Sequence, residues 1–310
     1  MNMVCGFLGS RQSTRKGMMR NLVIILALAL TALAHDDPFR VNDNRLDELL
    51  REPNTNHDPC IITETDDTTY ISGGTLYGEH RWTKDGSPYL IEGDLVVDTF
   101  AVLEIEAGTK IVFRQDWPRY HLDVYGTLHV MGTVEDTVIF CSEYWDLENA
   151  TGFSGIWLHE GAENCVIKYA KIRQAATGII NYSSHPVAIG CTFKFLGQLS
   201  VGYPTGIATY RDSLTVRDCT FQGLAEGESG RMIDGIYIAE SATYLDVSTS
   251  SFFANTAITV EAPEVYAKID SSFFGKDGIW SDTTTRLYLY QCFFVLYYPN
   301  YPIYIVLFHL

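Results

Sequence analysis

Basic residues are scarce in this chain. Of 310 residues, 22 are Lys or Arg against 38 Asp or Glu, a formal net charge of −16. That balance excludes the basic patches on which nucleic acid and anionic membranes are held. Helical periodicity is nearly missing too. One stretch, "NDNRLDELLRE" from Asn42, has a capping residue, spaced leucines and Pro53 as a stop, and it predicts a short N-terminal helix. Catalytic signatures are absent: there is no HxH or HExxH among the eight scattered histidines, no P-loop and no GxGxxG. "GFSG" at Gly152 and "GESG" at Gly227 are not GxSxG elbows and read as turns. There is no CxxC either. Cys60, Cys141, Cys165, Cys191, Cys219 and Cys292 show no compact framework, so they are expected to be mostly free, buried core residues.

The front of the chain is a separate matter. Leu22–Leu30 reads "LVIILALAL", preceded by Arg11, Arg15, Lys16 and Arg20 and followed by "TALA". A bilayer needs about 20 apolar residues, so this run is too short to span one. A basic segment, a short apolar segment and small residues at a cleavage site make residues 1–34 a secretory signal, with the true start at Met18 or Met19. Without them the chain has 18 basic and 38 acidic residues, or −20. The expected location is extracellular or at the cell surface, with the periplasm as an alternative. No membrane span is expected, because Pro299, Asn300 and Pro302 interrupt the apolar C-terminal run.

What the sequence does contain is repetition. "SGIWLHEG" from Ser154, "DGIYIAES" from Asp234 and "DGIWSDTT" from Asp277 share one phrase. It aligns at Ile156, Ile179, Ile207, Ile236, Ile258, Ile279 and Ile303, at intervals of 23, 28, 29, 22, 21 and 24 residues. A second phrase runs in step, with a small residue at Ala170, Cys191, Cys219, Ser250, Ser272 and Cys292. A large one follows two places on, at Ile172, Phe193, Phe221, Phe252, Phe274 and Phe294. Two short period-2 strands in every 20–30 residues cannot bury a face alone, but stacked coils can. The pattern therefore predicts an all-β parallel solenoid over residues 69–310, after a linker or cap at 35–68. The final strand has no polar cap, so the C-terminal edge is expected to meet a missing segment or another chain.

"SPYLIEGDLVVDTFAVLEIEAGTKIVF" (Ser87–Phe113) and "LDVYGTLHVMGTVEDTVIFCSE" (Leu122–Glu143) resemble the opening coils of secreted right-handed parallel β-helix proteins of the pectin-lyase-like fold, mostly bacterial. The resemblance extends over about residues 70–310 and implies that fold. It also implies a group that includes enzymes acting on acidic polysaccharides. Its lyases combine acidic Ca²⁺ ligands with a Lys or Arg base, and its hydrolases use clustered Asp residues. The polygalacturonase set Asn-Thr-Asp, Asp-Asp and Gly-His-Gly is missing here, as is the Trp-Ile-Asp-His phrase of the pectate lyases.

If each repeated Ile points inward, its neighbours point out. One face would then carry Trp157, His159, Tyr182, Tyr210, Tyr237 and Trp280, a stripe suited to stacking sugar rings, unless these aromatics only suit strand surfaces. Ala239, Glu261 and Asp282 fall in the same outward row, and the last two would be Ca²⁺ ligands if they converge. No other cofactor is implied. Arg211, Asp212, Arg231 and Asp234 flank that face. Three functions follow: a non-catalytic surface for polysaccharide or cell envelope, a polysaccharide lyase or hydrolase, and a structural module of a longer surface protein. Three or more charged side chains converging outside one pair of coils would mark the enzyme.

Overall fold

In the computed structural model, the described residues are Cys60, 67–114, 119–143, 152–182, 185–194, 205–222, 234–254, 256–275, 277–281, 284–290, 292–298 and 301–307. The signal segment, the helix expected near Asn42 and Asp282 lie outside them. Among the described residues the chain is strand and turn, with one 3-10 turn at Lys84–Gly86 and no α-helix. No helix there is long and apolar enough to cross a membrane.

The strands form a parallel β-solenoid. Each coil visits three faces in turn. Faces 1 and 2 belong to one sixteen-stranded sheet, and face 3 is an eleven-stranded sheet. Strands Thr205–Arg217 and Asp234–Ser248 run across both faces 1 and 2, with Asp212 and Glu240 in left-handed conformation where the coil turns.

The ladders are those the repeats predict. On face 1, Leu95, Leu122, Ile156, Ile179, Ile207, Ile236, Ile258 and Ile279 lie in register. On face 3, Phe193, Phe221, Phe252 and Phe274 are in register and fully buried. Their rings stack at 4.8, 4.7 and 5.2 Å. These distances match the spacing of neighbouring strands, ~4.8 Å, so one residue type at one place in every coil must stack. On face 2 the column includes Ile167, Ala188, Val216, Val247 and Ile269. Ala188 is the small step expected from "PVAIGCTF", whose larger aliphatics sit one place away.

The small residues recur for a polar reason. At the corner between faces 2 and 3 a left-handed residue (Gly190, Asp218, Thr249, Ser271) precedes Cys191, Cys219, Ser250 and Ser272. Each of these four donates its Sγ or Oγ hydrogen to the carbonyl two residues back. The Sγ or Oγ of the next coil then accepts the backbone N–H of Cys191, Cys219 and Ser250. Only a small side chain with a donor–acceptor tip satisfies both bonds.

The glycine of the repeated phrase has a similar explanation. At Gly206 an added Cβ would stand 2.5 Å from the Phe221 ring and 2.6 Å from the Gly235 carbonyl oxygen. Closeness between coils, not a left-handed φ, requires glycine there.

One expectation is corrected. Ile303 is not a further rung of face 1: Tyr301–Leu307 pairs antiparallel with Cys292–Tyr298 on face 3, placing Ile303 opposite Leu296. Two residues separate these strands, and so short a connection can only return antiparallel. The chain's own hairpin thus lies along that edge of the eleven-stranded sheet.

The cysteines are mostly free and buried, as expected, with one bridge among them. Cys60 and Cys141 form a disulfide, while Cys165, Cys191, Cys219 and Cys292 are free and buried. Cys141 differs because it clusters with Cys60, Leu90 and Val112, apart from the main core.

Candidate functional site

Outward side chains of face 1 form a band along the solenoid. At its upstream end four titratable groups from successive coils converge. His121 meets Asp94 through Nδ1 at 3.1 Å and Asp123 through Nε2 at 2.8 Å. The other Asp123 oxygen meets His159 Nε2 at 2.5 Å. Tyr125 stacks on His159 at 4.2 Å, and Trp157 lies tilted between the two histidines, 5.6 Å from His121 and 6.1 Å from His159. The indole Nε1–H of Trp157 is buried without a hydrogen-bond partner.

The hydrogen bond to Asp123 raises the His121 pKa against its burial, with Asp94 adding to the effect. Burial opposes charge on Asp123, but the hydrogen bonds from His121 and His159 outweigh it and hold the carboxyl below its usual range. The sign of each shift sets the pH window. The stabilisation from His121 is complete below the unfolded value of ~6.5 and is lost as pH rises through the higher folded value. That from Asp123 is complete above ~3.9 and is lost as pH falls through the lower folded value. The network therefore stabilises the fold most between about pH 4 and pH 6.5. A series of melting temperatures is expected to fall from about pH 6 to pH 8 more steeply in the parent chain than in His121→Gln. Parallel curves would remove the network from the account.

Downstream, the band changes character. Tyr182 and Tyr210 stack at 4.7 Å, and Tyr237 meets Tyr210 edge-on at 6.1 Å. The Tyr237 hydroxyl donates to Glu261, and the Asp234 carboxylate accepts from Thr259 at 2.6 Å. Burial raises the pKa of all three phenols, with Glu240 or Glu261 contributing in each case. Burial also raises that of Asp234, with Glu261 adding to it. Trp280, on the last strand of the face, is 47% exposed.

The six predicted aromatic and histidine positions all lie on this face, but not as one open stripe. Ile180 and Ala208 interrupt the row that holds Trp157 and Tyr237. The stacked tyrosines cover one another's ring faces, so the band offers edges and hydroxyls there, and an open ring at Trp280. Of the proposed Ca²⁺ pair, Glu261 is engaged by Tyr237 and Asp282 falls outside the described residues. Among the described residues no three His, Cys, Asp or Glu are grouped to hold a metal ion. Arg211 pairs with Glu160 at 2.7 Å, Asp212 makes the corner, and Arg231 is outside the described residues.

Three features were missed. A bulge sets Ala239 and Glu240 opposite Tyr210; Ala239 turns in and Glu240, not Ala239, faces out. The Asp94–His121–Asp123–His159 chain depends on the pairing of Leu122 with Ile156, which no repeated phrase marks. A second tyrosine row, Tyr244, Tyr266 and Tyr288, stacks at 5.4 and 4.7 Å on face 2. Asn181 begins an Asn-Tyr-Ser glycosylation sequon, but in the folded chain it is fully buried and donates to Thr209. No family model, curated protein or solved structure matches the chain.

Proposed function

We propose that this is a secreted right-handed parallel β-helix protein that binds an extended polysaccharide along face 1 without cleaving it. The observation that carries the proposal is that the groups of the band share one face along the length of the solenoid. Rings, hydroxyls and carboxylates lie on it from Asp94 to Trp280, beside a ladder of eight residues and roughly 34 Å at ~4.8 Å a step. A polymer can occupy such a face, and the polar tips of tyrosines suit its hydroxyls.

The test is retention on a panel of immobilised acidic, neutral and amine-bearing polysaccharides. Trp280→Ala or Tyr237→Ala is expected to weaken retention about tenfold, a loss of about 1.4 kcal/mol. Tyr266→Ala, on face 2, is expected to change nothing. Retention lost equally in all three variants, or absent throughout, would count against face 1.

One observation favours a second reading, a polysaccharide lyase or hydrolase. Asp94, His121, Asp123 and His159 are charged or titratable groups converging outside adjacent coils, and Asp123 orients His159 as a carboxylate orients a general base. Release of unsaturated products or reducing ends, abolished in Asp123→Asn, would replace binding by catalysis.

A further inference from the structure

The outward row of face 1 that includes Asp123, Trp157, Ile180, Ala208, Tyr237, Thr259 and Trp280 contains no lysine or arginine. Nor does the neighbouring row of Tyr125, His159, Tyr182, Tyr210 and Glu261. At the margin Arg211 is occupied by Glu160. Among the described residues around the three downstream tyrosines, Arg211 at the margin apart, the charges are of one sign: Glu240 and Glu261 are both exposed and Asp234 is buried. Their field adds to the rise of the Tyr182, Tyr210 and Tyr237 pKa values that burial begins. A neutral sugar would use the rings and leave these carboxylates unpaired, and an acidic one would be repelled. An ammonium group is attracted by the carboxylates directly and donates hydrogen bonds to them and to the tyrosine hydroxyls.

We infer that the downstream half of face 1, built by Tyr182, Tyr210, Tyr237, Glu240 and Glu261, is a docking surface for a polysaccharide whose units carry free amino groups. The occupant follows from charge complementarity. The surface is a sheet face with tyrosine hydroxyls and with carboxylates that have no basic partner among the described residues, and the chain as a whole has a net charge of −16. A polymer with one ammonium per sugar would bring charge to every coil or every second coil. This inference rests on the polysaccharide-binding proposal and narrows it.

The experiment is isothermal titration of the full chain, at low and high salt, with four probes: a glucosamine hexamer, its N-acetylated counterpart, a galacturonate hexamer and an oligolysine. The expected result is binding of the glucosamine hexamer about tenfold tighter than of the N-acetylated one, weakening with salt. The preference should shrink in both Glu261→Gln and Glu240→Gln, with thermal melts showing that each variant folds. Equal or tighter binding of the acetylated or acidic hexamer would overturn the amine inference while leaving polysaccharide binding intact. No binding of any saccharide would overturn both, whether or not oligolysine binds.

Discussion

Replacing both Cys60 and Cys141 by serine is expected to cost the fold about 4–5 kcal/mol. The bridge closes a loop of 81 residues, and a cross-link stabilises chiefly by restricting the unfolded chain, more so for long loops. At this length the chain-entropy relation gives about 4.5 kcal/mol. Both cysteines are fully buried and pack with Leu90 and Val112, with Ile139 against them. Losing the bridge removes the link that holds Cys60 in this apolar cluster. Denaturant unfolding with and without a reducing agent checks the point. Reductant should lower the parent chain to the level of the double variant and leave the variant unmoved. A double variant as stable as the parent would show that the bridge adds nothing.

Phe221→Ala is expected to cost about 3–5 kcal/mol, the range for removing a buried aromatic ring. The Phe221 ring is fully buried, with Phe193 at 4.8 Å on one side and Phe252 at 4.7 Å on the other. Neighbouring coils cannot close in to fill the gap, because backbone hydrogen bonds hold them at the strand spacing. The same contact predicts a coupling. Gly206→Ala should be strongly destabilising in the parent and milder in the Phe221→Ala background, since the ring it strikes is gone. Rescue should be partial, because the Gly235 carbonyl oxygen still stands 2.6 Å from the new Cβ. Melting temperatures of the two single variants and the double variant close the cycle. Strict additivity would mean that the ring and the glycine do not constrain each other.

The residues that revealed the fold are those whose type recurs. An inward side chain stacks on its equivalent in the next coil, so Ile follows Ile on face 1 and Phe follows Phe on face 3. The repeated phrases can be aligned for that reason. Corner residues obey the same logic through hydrogen bonds, which is why Cys and Ser alternate freely there. The outward face has no such constraint. Its neighbours differ from coil to coil, as Trp157, Ile180, Ala208 and Tyr237 do, so the aromatics and Glu261 stood out, and Asp94, His121, Asp123 and Glu240 did not.

By itself, then, the sequence determined the coil: strand alternation, the Ile and Phe ladders, the small corner residues, and the absence of a basic surface. The tertiary structure alone decided the rest. It brought Asp94, His121, Asp123 and His159 together, formed the Cys60–Cys141 bridge, turned Glu240 outward through a bulge and reversed the last strand. The physical reason is the same in each case. Connections between coils vary in length without disturbing the pairing of the strands they join. Distance along the chain therefore says little about which outward side chains meet, whereas strand register decides it.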